Sequence, residues 1–219
     1  MSVLTKPEVR RSMAKILKSI SPSARLSQSE HVLKILQGIP AYKNAKNVAL
    51  FLSMKTEVET RPIMDDCTEN NRTILVPRII SDCEFELVML ESSATVDSLP
   101  LDKWGIPIPP LDDVHRMLLH PELTPDVIIV PGVAFDAKCQ RLGHGKGYYD
   151  RCFEFLHNWC ENNQVAYPIL IGVAFDEQVI EQVPCNSLDI PLDMVVTASK
   201  IYERNRFLVC CTSFATTLR

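Results

Sequence analysis

The sequence predicts an α/β fold, a single-domain three-layer sandwich with a mostly parallel sheet and helices on both faces. Three observations lead there. The runs 126–130, 168–174 and 193–197 are built on unbroken apolar residues and have strand length, as strands buried on both faces do. Between them lie segments whose apolar residues recur at helical spacing, the alternation from which parallel sheets are made. No apolar run approaches the roughly 18 residues that would span a bilayer.

Thr5, with Glu8 three residues on, forms a capping-box pattern, and Val9, Met13, Ile16, Leu17 and Ile20 supply the buried stripe of a first helix. Ser21-Pro22 ends that helix and starts a second, because proline is tolerated in a first turn. Leu26, Val32, Leu33, Ile35 and Leu36 face the core from it, and Gly38 and Pro40 stop it. The apolar stretch 47–53 reads as a strand, and Thr60-Arg61-Pro62 caps a helix reaching about Asn70. Further strands are expected at 73–76 and 85–90. The stretch 92–125 carries Pro100, Pro107, Pro109, Pro110, Pro121 and Pro125, which predicts a long ordered loop lying over the body. Strand 126–130, helix 146–160 and strands 168–174 and 193–197 complete one domain over 1–219, with the tail beyond about residue 200 unassigned. Ligands of open α/β sheets bind beyond the carboxyl ends of the strands. That places 53–59, 133–149 and the segment before Asp193 on one rim.

Composition narrows the function classes. A net charge of -4 over 219 residues argues against a dedicated nucleic-acid binder. Eight cysteines without a C-x-x-C pair, and five histidines without an H-x-x-x-H pair, fit packed thiols better than a metal or disulfide framework. The first 25 residues are basic, with Glu8 their only acid. This composition fits both a mitochondrial presequence and a solvated helix face; the reading here favours a cytoplasmic protein and leaves a mitochondrial pool open.

The chemistry concentrates at Arg141-Leu-Gly-His-Gly-Lys-Gly-Tyr-Tyr-Asp150. Three of the seven glycines, Gly143, Gly145 and Gly147, alternate there, between a strand and a helix start. Alternating glycines let backbone amides approach a ligand, and a helix N-terminus attracts anions. Arg141, His144 and Lys146 interleave side-chain donors with those amides. An acidic protein that gathers cations at such a turn points to phosphate. Asp150 in the first helical turn has two readings: a residue favourable to the helix dipole, or a Mg²⁺ ligand beside phosphates.

Phe135-Asp136 followed by Arg141-Leu-Gly-x-Gly-x-Gly-Tyr-Tyr-Asp-Arg151 closely resembles the signature of the 5-formyltetrahydrofolate cyclo-ligase family. Lys6-x-x-x-Arg10, Phe51-Leu-Ser-Met-Lys-Thr-Glu57, Trp104-Gly-Ile-Pro and Asp189-x-Pro-Leu-Asp193 resemble further motifs of that family, in order. The resemblance implies an ATP- and Mg²⁺-dependent enzyme that closes 5-formyltetrahydrofolate, free or polyglutamylated, to 5,10-methenyltetrahydrofolate. It implies a monomer with neither nucleic acid nor membrane as partner. Lys6 and Arg10 would hold nucleotide phosphates, with Arg141, Leu142, Gly143, His144, Gly145, Lys146, Gly147, Tyr148 and Tyr149 closing over them. Arg141 and Lys146 would assist phosphoryl transfer. Leu52, Glu57, His144 and Tyr148 would contact the folate, and Asp150 and Asp189 the metal, with Asp193 as the rival of Asp189. His144 departs from the arginine that some relatives carry there. Two other readings remain open: a protein that binds reduced folate or another anion without chemistry, and, by fold analogy alone, a sugar-phosphate isomerase or CoA-transfer enzyme.

Overall fold

The computed structural model describes residues 4–79, 85–102, 105–109 and 121–204. In chain order the main elements are helices α1 (Lys6–Ser19), α2 (Pro22–Gly38) and α3 (Pro40–Lys43), strand β1 (Asn47–Leu50), helix α4 (Arg61–Glu69) and strands β2 (Thr73–Ile79) and β3 (Phe85–Leu90). There follow β4 (Val127–Val130), β5 (Ala134–Asp136), β6 (Arg141–Leu142), helix α5 (Tyr148–Asn163), β7 (Ile169–Val173), β8 (Val179–Ile180), β9 (Met194–Val196) and β10 (Ile201–Glu203). Short 3-10 turns fill Ser93–Ser98 and Pro121–Leu123 within the proline-rich stretch. Trp104 lies outside the described residues.

The large sheet runs β10-β9-β7-β4-β1-β2-β3. Its middle five strands are parallel, and β10 and β3 join antiparallel at the edges. Alternate residues of the unbroken apolar strands face opposite cores, which is why they lack polar alternation. Val48, Leu50, Val127, Ile129, Ile171 and Val173 pack toward α2, α3 and α4. Ala49, Ile128, Val130 and Leu170 pack toward Phe153 and Leu156 of α5. A smaller sheet, β6-β5-β8, lies against Val9 and Met13 of α1. No helix among the described residues is long and apolar enough to cross a membrane.

Several boundaries differ from expectation for identifiable reasons. Helix α5 begins at Tyr148, not Lys146, because Gly147 caps it in the left-handed region at φ 68°. It continues to Asn163, where Gln164 adopts the same conformation. Pro40 starts a short helix as well as stopping α2. Ile16 and Leu26 are exposed, since the apolar faces of α1 and α2 turn toward Val9, Met13, Leu17, Val32 and Leu36 instead. The Glu8 carboxylate accepts both the amide and the hydroxyl of Thr5, at 2.8 and 2.7 Å, and the Thr5 amide chiefly holds its carboxyl below the usual range. Strands β5, β6, β8 and β10 were not expected; they are too short to carry a periodic pattern. The five described cysteines are free. Cys139 is buried, and its thiol is pushed up to about 11 first by that burial and then by Asp136.

One buried network fixes the far side of the helical layer. Asp66 accepts from Gln37 and Tyr42 at 2.7 and 2.8 Å and from Arg72 at 3.1 Å. The Arg72 guanidinium also lies 4.7 Å from the Tyr42 ring centroid. Replacing Asp66 strands three donors, one of them cationic. Asp66→Ala is expected to destabilise the fold by about 3 kcal/mol, read as a fall of roughly 6–12 °C in the thermal unfolding midpoint; a fall within two degrees would show that the network contributes little.

Candidate active site

Strand order reverses between β1 and β4. The chain leaving β1 passes to α4 on one face of the sheet, and the chain leaving β4 passes to α5 on the other. Such a divergence opens a crevice beyond the carboxyl ends of the two strands. Both candidate loops border it. Glu57, on the loop after β1, and His144, on the glycine-rich loop after β4, stand 3.6 Å apart from Oε1 to Nε2.

Glu57 is buried, and its Oε2 accepts the Met54 amide at 2.9 Å, so the carboxylate is fixed from within its own loop. Leu52 is packed into the main core. Thr60, fully buried, donates its hydroxyl to the Phe51 carbonyl at 2.7 Å and holds the base of this loop.

The approach to the glycine-rich loop is built by the small sheet. Asp136 is buried and accepts the amides of Lys138, Gln140 and Val183 at 2.9, 3.1 and 3.0 Å. The Phe135-Asp136 pair of the motif is therefore architectural: Asp136 closes the turn that delivers Arg141. Gln178 does similar work unseen in the sequence. Its buried amide donates to the Gly132 carbonyl at 2.7 Å and accepts the Phe175 amide at 2.9 Å. A lone glutamine after a strand carries no pattern that would have flagged it.

Arg141 is almost wholly buried on β6. It donates to Asp150 Oδ2 at 3.1 Å and to the Pro131 carbonyl at 3.4 Å, and lies 5.4 Å from the Tyr149 ring centroid. Its Nε is buried with no hydrogen-bond partner among the described residues. Burial, and secondarily the charge of Glu57, push the Tyr149 phenol upward, so it stays un-ionised. Leu142 packs into the small core beside Val9 and Met13, and its carbonyl accepts the Val133 amide at 2.7 Å.

Each alternating glycine sits against a guanidinium. A Cβ on Gly143 would lie 2.7 Å from Arg141, one on Gly145 3.3 Å from Arg10, and one on Gly147 3.0 Å from Arg151. Gly145 and Gly147 also have φ of 101° and 68°. Arg10 reaches the loop from α1 and donates Nε to the Gly143 carbonyl at 2.8 Å. Its first demonstrable task is thus to hold the loop. Lys146 is exposed between the last two glycines, and Tyr148 and Tyr149 open α5.

Lys6 bonds Asp189 at 2.5 and 2.7 Å. The amide of Ile190, the next residue, lies 3.4 Å from Asp150 Oδ1, so the two acidic candidates occupy neighbouring segments. Asp193 does not join them. It accepts the Leu170 amide at 3.0 Å at the amino end of β7 and pairs with Arg204 at 3.2 Å. Of the segment expected on the rim before Asp193, residue 189 lies beside Lys6 and Asp150, while Asp193, its rival as a metal ligand, lies at the opposite end of the strands. No group of three or more His, Cys, Asp or Glu side chains among the described residues forms a metal cluster. Two carboxylates nonetheless fit Mg²⁺, which takes one or two from a protein and the rest of its shell from phosphate and water.

Residues 3–198 match the family model described as the 5-formyltetrahydrofolate cyclo-ligase family. A fission yeast (Schizosaccharomyces pombe) protein named probable 5-formyltetrahydrofolate cyclo-ligase is 35% identical over 80% of this chain and 86% of its own length. The 5-formyltetrahydrofolate cyclo-ligase of Mus musculus is 33% identical over 86% of this chain and 91% of its own. Among solved structures, the 5,10-methenyltetrahydrofolate synthetase of Aquifex aeolicus superposes with a TM-score of 0.72 at 30% identity, covering 99% of this chain and 97% of that one. The chain belongs to the 5-formyltetrahydrofolate cyclo-ligase family.

The glycine geometry gives a direct test. An L-residue at φ near 101° is strained, and the new Cβ would press on Arg10. Gly145→Ala is expected to cut turnover at limiting ATP by about tenfold or more with little change in the unfolding midpoint. Wild-type kinetics in that variant would remove the close-approach argument.

Proposed function

We propose that this chain closes the ring between N5 and N10 of 5-formyltetrahydrofolate at the cost of ATP, giving 5,10-methenyltetrahydrofolate, ADP and phosphate. The observation that carries the reading is the meeting of Glu57 and the glycine-rich loop across the β1/β4 crevice, in a chain whose family is named for this reaction. One loop has the chemistry to hold a pterin and the other to hold phosphates, and they touch.

A formamide oxygen is a poor leaving group. Transfer of the γ-phosphoryl group to that oxygen, with departure of ADP, turns it into a good one. N10 then attacks the formyl carbon, the C–O bond to the phosphate breaks, and the N10 proton passes to solvent. Such a transfer needs alignment and charge stabilisation more than a covalent partner. Arg141, buried beside the loop, and Lys146, between Gly145 and Gly147, supply the charge. The amides of residues 143 to 149 supply fixed dipoles. Lys6 and the terminal nitrogens of Arg10 hold the remaining phosphates. Asp150 and Asp189 would hold magnesium, which would supply charge neutralisation to the phosphates. These carboxylates pair with Arg141 and Lys6, so binding of nucleotide and metal would exchange one set of ion pairs for another.

Glu57 accepts from the pterin's amino and ring N–H groups, Leu52 lies at the base of that loop, and Tyr148 stacks on or orients the substrate. His144 spans both ligands. A polyglutamyl tail would extend outward from the crevice. Val9, Met13 and Leu17 bind the first helix into the cores, which supports reading its basic residues as a solvated helix face.

Purified protein is expected to develop the absorbance of the methenyl product from 5-formyltetrahydrofolate only with ATP and magnesium together. No absorbance change would reject the reaction, and binding without ADP release would favour a folate-binding protein. Lys146→Ala is expected to raise the KM for ATP about tenfold and that for folate far less; unchanged ATP kinetics would remove Lys146 from phosphoryl transfer.

A further inference from the structure

Arg151 stands where simple electrostatics would not put it. It follows Asp150 in the opening turn of α5, where the positive end of the helix dipole disfavours a cation. Three local contacts account for its place there. Its NH2 group donates to the Lys146 carbonyl at 3.0 Å. Its guanidinium lies 5.5 Å from the Tyr148 ring centroid. Its NH1 nitrogen lies 3.0 Å from the position a Cβ on Gly147 would take. Its backbone amide meanwhile donates to the Gly147 carbonyl at 3.2 Å. One residue therefore holds two successive carbonyls of the turn.

In a trans peptide the C=O and the following N–H point in opposite directions, and every described peptide bond here is trans. Pinning the Lys146 carbonyl on Arg151 thus turns the Gly147 N–H the other way. The same construction occurs at the other end of the loop. Arg10 pins the Gly143 carbonyl and so fixes the direction of the His144 N–H. An anion-binding turn needs this control, because a carbonyl rotated toward a phosphate repels it as strongly as an amide attracts it.

We propose that Arg151 is a positioning residue for the nucleotide: it holds the Lys146 carbonyl away from the phosphates and aims the Gly147 amide at them. The claim rests on the cyclo-ligase reading for its ligand but not for its geometry. Lysine cannot replace it, since a point charge lacks the planar fork that bonds a carbonyl and stacks on a ring together.

The test compares wild type, Arg151→Ala and Arg151→Lys, and adds methylguanidinium to each. Arg151→Ala is expected to raise the KM for ATP about tenfold, to leave the folate KM and the unfolding midpoint near wild type, and to recover with methylguanidinium. Arg151→Lys is expected to resemble Arg151→Ala. Unchanged ATP kinetics overturns the proposal, as does a rise in both KM values with a lowered midpoint, which would make Arg151 a general stabiliser. If wild type itself converts no folate, the cyclo-ligase reading fails separately. The ¹⁵N amide signal of Gly147 then decides, with pyrophosphate as probe. A shift in wild type that Arg151→Ala lacks supports the positioning role, and equal shifts or none overturn it.

Discussion

Everything at the site depends on the divergence of the chain after β1 and β4. Two adjacent parallel strands, both buried on both faces, send their following segments to opposite sides of the sheet. The burial of Val48, Leu50, Val127 and Ile129 against one layer and of Ala49, Ile128 and Val130 against the other holds that divergence in place. A crevice with rigid walls follows from packing alone, and functional side chains need only be hung on its two lips. Glu57 hangs on one and His144 on the other.

The glycine-rich turn shows how a locally weak element is made firm. Glycine permits the required backbone but does not enforce it. Enforcement comes from elsewhere: Arg141 on β6, Arg10 from α1 and Arg151 from α5 each lie against one glycine. Their charges are in turn tempered by Asp150 and by loop carbonyls. Permissive backbone and rigid neighbours together give a shaped turn that neither would give alone.

Strong periodic or unbroken apolar segments were legible in the sequence, because burial writes itself directly into residue type. The cores of β1, β4, β7 and β9 and all the longer helices fall where the pattern placed them. The two- and three-residue strands of the small sheet were not legible, since their pairing is set by partners far along the chain, such as Val179 for Phe135. The glycine loop and its basic neighbours were legible as a cluster of glycines and cations between a strand and a helix start. The work of Asp136, Gln178 and Arg151 was not, because it consists of bonds to backbone atoms, which no side-chain pattern records. Asp189 and Asp193 could not be told apart by spacing, as four residues of extended chain carry one to the crevice and the other to the far end of β7.

The pairing of Lys6 with Asp189 spans 183 positions, and the crevice between them takes its parts from the first helix, two central loops and a late segment. During synthesis the first of these waits, already able to form a helix, until the last has been added. A chain halted before residue 189 holds five of the seven strands of its main sheet and lacks the carboxylate that pairs with Lys6. The Lys6–Asp189 pair therefore forms only after both ends of this 183-residue span have been made.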